Sequence, residues 1–177
     1  MEPAVIEAVF NDCFAARDAD PADRARLVAG ADEPQYLPAG RLRPQGDVVW
    51  ARGLAQSCLH EAAHWLRAGR ERRRLVDYGY WYLPDGRVAE DQLRFEGLEA
   101  EVQGLEWILS MAAGVTFRVS CDNLLRPDPS DAFRAAIATA AGERLRRGLN
   151  GRAGRLVAAL CARSGRPLPT APACGAI

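Results

Sequence analysis

The chain has no lysine: its 23 basic side chains are all arginines, and 23 acidic ones balance them. That bears on coding bias more than on function. The absence of net charge leaves no field that argues for wholesale attachment to nucleic acid or to a membrane surface. No stretch approaches the roughly 18 uninterrupted apolar residues of a membrane span, and the N-terminus lacks a basic segment followed by an apolar run. The five cysteines (Cys13, Cys58, Cys121, Cys161, Cys174) are odd in number and scattered, with no C-x-x-C spacing. They read as reduced thiols, which argues against a thiolate zinc site and predicts a cytoplasmic protein. Histidine is scarce too, with two copies in 177 residues.

The length suits one domain with a real core. Apolar positions at helical spacing (Val5, Ile6, Val9, Phe10, Phe14) predict a helix over 3–17, and Pro21 starts a second short helix ending at Gly30. Residues 31–46 read as an ordered loop anchored by Tyr36 and Leu37, and "DVVWA" as a short strand. A helix opens after Gly53 and stops at Gly69, "LVDYGYWYLPDGR" reads as a strand closed by a Pro-Asp-Gly turn, and a long helix covers Val88 to Ala113. "VTFRVS" is a further strand, and the Asp128-Pro129 pair resembles the N-cap and first turn of a helix. Helices over 129–148 and 151–164 close the fold. The expectation is an α+β single domain over residues 1–165, with a small mixed β-sheet packed by several helices and a flexible tail over 166–177.

Both histidines fall in "CLHEAAHW", four positions apart with Glu61 after the first. On a helix, His60 and His64 then stand on one face and can reach one ion. The apolar arc of that helix is Leu54, Ala55, Cys58, Leu59, Ala62, Trp65 and Leu66; the histidines lie outside it and can face a cleft. With two histidines placed at random, this arrangement has a chance of the order of one in a thousand, which favours metal binding over a solvated surface pair. The metzincin extension fails, because Arg67 and Arg70 occupy its glycine and third-histidine positions.

With no third histidine, the third ligand must be a carboxylate, a cysteine or a residue of a second chain, and "FEGLEAEVQGLEW" is the richest source of carboxylates. Phe95, Leu98, Val102, Leu105 and Leu109 form its apolar arc, with Glu99 and Glu106 on the border, so these two precede Glu96 and Glu101 on geometry. Two imidazoles and a carboxylate leave coordination positions open. With Zn(II), water activated by Glu61 would be a hydrolase's nucleophile; with Fe(II), the open positions suit dioxygen and substrate. The ligand types alone do not choose, and a non-catalytic module with a structural metal is a third option.

Five motifs occur in order: "DEPQYLPAG", "LHEAAHW", "RRLVDYGYWYLPDGR", "FEGLEAEVQGLEW" and "AAGVTFRVSCDNL". Together they resemble the elongation factor P hydroxylase family over about residues 5–125. The resemblance implies His60, His64 and Glu99 as metal ligands, Fe(II) as the metal with Zn(II) able to replace it, and dioxygen as co-substrate; nothing points to 2-oxoglutarate. It implies a fold similar to a bacterial metal-dependent ribonuclease, with H-E-x-x-H on a central helix, and Glu61 as a catalytic residue that handles protons or orients a ligand. The protein substrate would be elongation factor P, modified on a lysine by β-lysylation. Where the family pattern continues with Lys and Pro, this chain has Glu101 and Val102, which adds negative charge beside the site. Asp77, Tyr80 and Trp81 offer either an acidic and aromatic wall for a long cationic side chain or an ordinary core strand with its hairpin turn, and Asp122 and Asn123 either bind its ammonium groups or cap the next turn. "RERRR" at 70–74 is a solvated helix end or a dock for an acidic surface.

Overall fold

The computed structural model describes residues 1–15, 20–30, 33–51, 53–79, 89–121 and 128–171. Helix α1 spans Pro3–Phe14 and buries Ile6, Phe10 and Phe14, the predicted apolar stripe. Its Asn11 side chain pairs with strand β1 (Ala25–Ala29), accepting from Leu27 N at 2.7 Å and donating to Leu27 O at 3.2 Å. The helix expected from Pro21 to Gly30 is therefore replaced: a single 3₁₀ turn over Pro21–Asp23 leads into this strand. Helix-forming Ala, Arg and Leu are overruled there by ladder bonds that only the tertiary structure supplies.

Strand β1 runs parallel to β3 (Gly46–Trp50), the predicted "DVVWA" strand displaced by one residue. On its other side β3 pairs antiparallel with β2 (Gln35–Leu37), a short strand inside the expected loop. The sheet is thus small and mixed, as expected, in the order β1-β3-β2.

Helix α2 (Ala55–Arg67) carries the histidine motif and buries Cys58, Leu59, Ala62, Ala63, Trp65 and Leu66, whereas Leu54, before its first residue, is exposed. The long helix α3 (Ala89–Ala113) packs against α2 and against the two closing helices, α4 (Asp131–Arg147) and α5 (Gly151–Ser164). Leu98, expected on its apolar arc, is exposed. Helix α4 is capped by Ser130, whose Oγ accepts from Phe133 N at 3.1 Å, so the cap lies two residues beyond Asp128.

Two expected strands are not formed over their described residues. Residues Val76–Gly79 make a 3₁₀ turn containing two left-handed residues, Asp77 and Tyr78, which removes the strand alternation predicted there; Tyr80–Arg87 lie outside the described residues. The "VTFRVS" segment is irregular by hydrogen bonding, although Val115, Phe117 and Val119 turn inward and Thr116, Arg118 and Ser120 outward. Glutamine amides take the place of a neighbouring strand. Gln103 accepts from Ser120 N at 3.1 Å and donates to Ser120 O at 2.7 Å, Gln56 donates to Arg118 O, and Gln92 donates to Cys121 O. Among the described residues no helix is long and apolar enough to cross a membrane.

Candidate metal centre

The helical turn between His60 and His64 puts their rings 4.7 Å apart, with planes 78° to one another, so that their Nε2 atoms approach to 3.1 Å. Helix α3 crosses opposite and supplies a carboxylate. Glu99 lies 3.4 Å from His64 Nε2 through Oε1 and 3.7 Å from His60 Nε2 through Oε2. One donor atom from each of the three residues falls within 4.8 Å of the others, and this is the one such group among the described residues. A cation bonded at about 2.0–2.2 Å to three donors spaces them by roughly 3.0–3.5 Å, so the residues fit a single divalent ion.

The fit extends to burial. Glu99 is 5% exposed and His64 8%, while the His60 side chain retains 26%, so the cluster opens on the His60 side. Three protein donors with one accessible side is the pattern of a site with open coordination positions.

The two helix-border glutamates divide their tasks. Glu99 reaches the cluster, whereas Glu106, 1% exposed, accepts a hydrogen bond from His60 Nδ1 at 2.8 Å. That bond fixes which ring nitrogen is left to face Glu99. Burial would lower the His60 imidazole, but the Glu106 bond and the carboxylates of Glu106, Glu99 and Glu61 overcome it and hold it at about 10. His64 moves the other way, well below its ordinary value, through burial and then the neighbouring His60 and Arg67 charges. Burial, reinforced by Glu99, Glu106 and Asp77 and opposed by His60, raises Glu61 to about 7. Glu106 is also raised, chiefly by burial, with the His60 bond opposing.

Asp77 stands close enough to influence Glu61, yet its Oδ1 also accepts the backbone N–H of Tyr36 at 2.8 Å. Tyr80, Trp81, Asp122 and Asn123 lie outside the described residues. Sequence reasoning missed Tyr78, whose ring lies face to face with His64, 6.3 Å between centroids and 11° between planes. The chain shows no mark of this contact beyond an aromatic residue in the right motif. Of the "RERRR" run, Arg73 points inward, while Arg72 stays exposed. Arg73 is buried, ion-paired with Asp23 and stacked over Trp65; Arg72 donates to the carbonyl of Tyr78.

Comparison with known proteins places the chain in a family. Over 133 residues the chain is 49% identical to the elongation factor P lysine hydroxylase of Haemophilus influenzae, a match covering 75% of this chain and 72% of that protein. The family profile described as elongation factor P hydroxylase matches residues 9–172, from within α1 to beyond α5, and this chain belongs to that family.

Proposed function

We propose that this chain hydroxylates the β-lysylated lysine of elongation factor P, in the cytoplasm, at a non-haem iron centre held by His60, His64 and Glu99. The observation that supports it is the convergence of two imidazoles and one buried carboxylate around a point accessible from the His60 side. A ferrous ion held there would supply activation of dioxygen, one atom entering a substrate C–H bond as hydroxyl and the other leaving as water with two electrons from an external reductant.

The protein's own groups do the remainder. Glu106 holds the Nδ1 proton of His60 and so aims Nε2 inward. Glu61, which burial raises to about 7 in the metal-free protein, is the group assigned to take or return a proton. Glu61, Glu99, Glu106 and Asp77 offset the charge of a divalent ion held there, which lessens its repulsion of a cationic side chain. Asp77, Tyr80, Trp81, Asp122 and Asn123 belong to this proposal as substrate contacts, the last four on sequence grounds.

Aerobic incubation of iron-loaded protein and reductant with β-lysylated elongation factor P should add the mass of one oxygen atom to the modified lysine. No mass gain, together with cleavage of a peptide or RNA by the zinc-loaded protein, would replace this reading with a hydrolase in which Glu61 activates water.

A further inference from the structure

The backbone at Asp77 (φ 48°) and Tyr78 (φ 59°) is left-handed at two consecutive residues that both carry side chains, a conformation such residues adopt rarely. Strain of this kind persists where surrounding contacts dictate it, and here they are visible. Asp77 Oδ1 accepts Tyr36 N–H at 2.8 Å, and Arg72 Nη1 donates to the carbonyl of Tyr78 at 3.1 Å. The Tyr78 ring, 2% exposed, stacks on that of Tyr36 at 4.3 Å with 10° between planes. Tyr36 is fixed in turn at its far end, where its hydroxyl donates to Arg73 O at 2.8 Å.

The Tyr78 ring also lies nearly parallel to that of His64, 11° between planes and 6.3 Å between centroids, so Tyr36, Tyr78 and His64 present three nearly parallel rings. The angle of His64 matters chemically. Its plane lies 78° from that of His60, and this near-perpendicular setting lets both Nε2 atoms converge at 3.1 Å. Glu106 fixes the His60 ring through a hydrogen bond. We infer that Tyr78 is the corresponding positioning residue for His64: its ring, backed by Tyr36 and held by the left-handed turn, sets the plane in which His64 presents Nε2 to the metal. The inference rests on the metal-centre reading above. It assigns Tyr78 no contact with substrate, and requires of it a flat ring rather than a hydroxyl.

Titration of Co(II) into chelator-stripped protein reads this without turnover, through affinity and the ligand-field spectrum, with melting temperature followed in parallel. Tyr78→Phe should match the wild type in both. Tyr78→Leu, which keeps an apolar filling but no ring plane, should bind Co(II) about 10–100-fold more weakly and give an altered spectrum at saturation while remaining folded. A folded Tyr78→Leu protein with wild-type affinity and spectrum overturns the inference, whatever its melting temperature, because it leaves the ring a merely structural role. If Tyr78→Leu does not fold, Asp77→Ala decides: loss of the Tyr36 anchor should weaken Co(II) binding in the same direction, and unchanged affinity and spectrum overturn the inference. Equal Co(II) binding by the wild type and His64→Ala would instead overturn the metal-centre reading, and this inference with it.

Discussion

Glu106 Oε2 lies 2.8 Å from Nδ1 of His60, on the side of the ring away from Glu99. Because Nδ1 carries the proton in that bond, Nε2 is left as the donor that faces the cluster. Glu106→Ala should lower affinity for Co(II) or Zn(II) by about 10–100-fold, and Glu106→Gln, whose amide oxygen can still accept, by less. Metal titration of the two variants checks this. Equal losses would mean that the Glu106 charge, rather than its hydrogen bond, governs His60.

That division of labour marks how far the sequence could be read. Helical spacing placed Glu99 and Glu106 beside the buried seam of α3 and the two histidines on one face of α2, and all four side chains meet at the site. Which glutamate reaches the cluster depends on how α3 crosses α2, and no pattern within one helix encodes that. The same boundary runs through the fold. Helices α2 to α5 were legible from local sequence, although the α4 cap proved to be Ser130 rather than Asp128. Strand β1 was not, because its state is set by pairing with β3 and by the Asn11 side chain, both remote in sequence. "VTFRVS" alternates as a strand should, but its partners are the amides of Gln56 and Gln103. At Tyr78 the alternation misled, because a turn held by Tyr36 and Arg72 replaced the strand.

The His60 proton makes metal binding and stability depend on pH. Its folded value of about 10 stands above the ordinary 6.5, so it stabilises the metal-free protein fully below about 6.5, and that contribution fades as pH rises towards 10. Glu61, raised from 4.5 to about 7, also costs stability as pH rises, but within that lower window. His64, depressed, gains stability with rising pH only up to about 6.5. Between pH 7 and 9 the His60 slope is what remains of the three. The chelator-treated protein should therefore melt lower at pH 9 than at pH 7, and metal affinity should rise by up to about tenfold per pH unit as uptake expels the proton. Melting curves with and without metal at pH 7, 8 and 9 measure both; a metal-free melting point that climbs over this range contradicts the assignment.

Glu99 should matter far more to the metal-loaded form than to the metal-free one. Its carboxylate is 5% exposed and sits against two imidazoles, so without metal its desolvation cost is offset by attraction to the protonated His60. Glu99→Gln gives up both and should shift the melting temperature of the chelator-treated protein little. It should also abolish the rise that added metal gives the wild type, and hydroxylation with it. Metal content by elemental analysis alongside the two melting curves tests the split. A variant that loses both fold and metal would point to a structural ion rather than an open site.

Gly104 tests whether the metal helix is held where it is by a close approach. A Cβ built there would meet Ala140 Cβ and Ala141 N at 3.0 Å and Ile137 O at 3.2 Å, two of them backbone atoms of α4 that cannot swing aside. At Gly142, on α4, a Cβ would meet nothing within 4 Å. Both substitutions to alanine gain helix propensity of about 0.5–1 kcal/mol. Gly142→Ala should keep that gain and raise the melting temperature. Gly104→Ala should lose it to overpacking that costs about 1–3 kcal/mol, and melt lower. Because Glu99 and Glu106 bracket Gly104 on α3, the displacement should reach the donors as well, so Gly104→Ala should bind metal more weakly and Gly142→Ala should not. Denaturation and metal titration of the pair decide this, and a Gly104→Ala protein as stable as Gly142→Ala would mean that α3 and α4 are free to separate without cost.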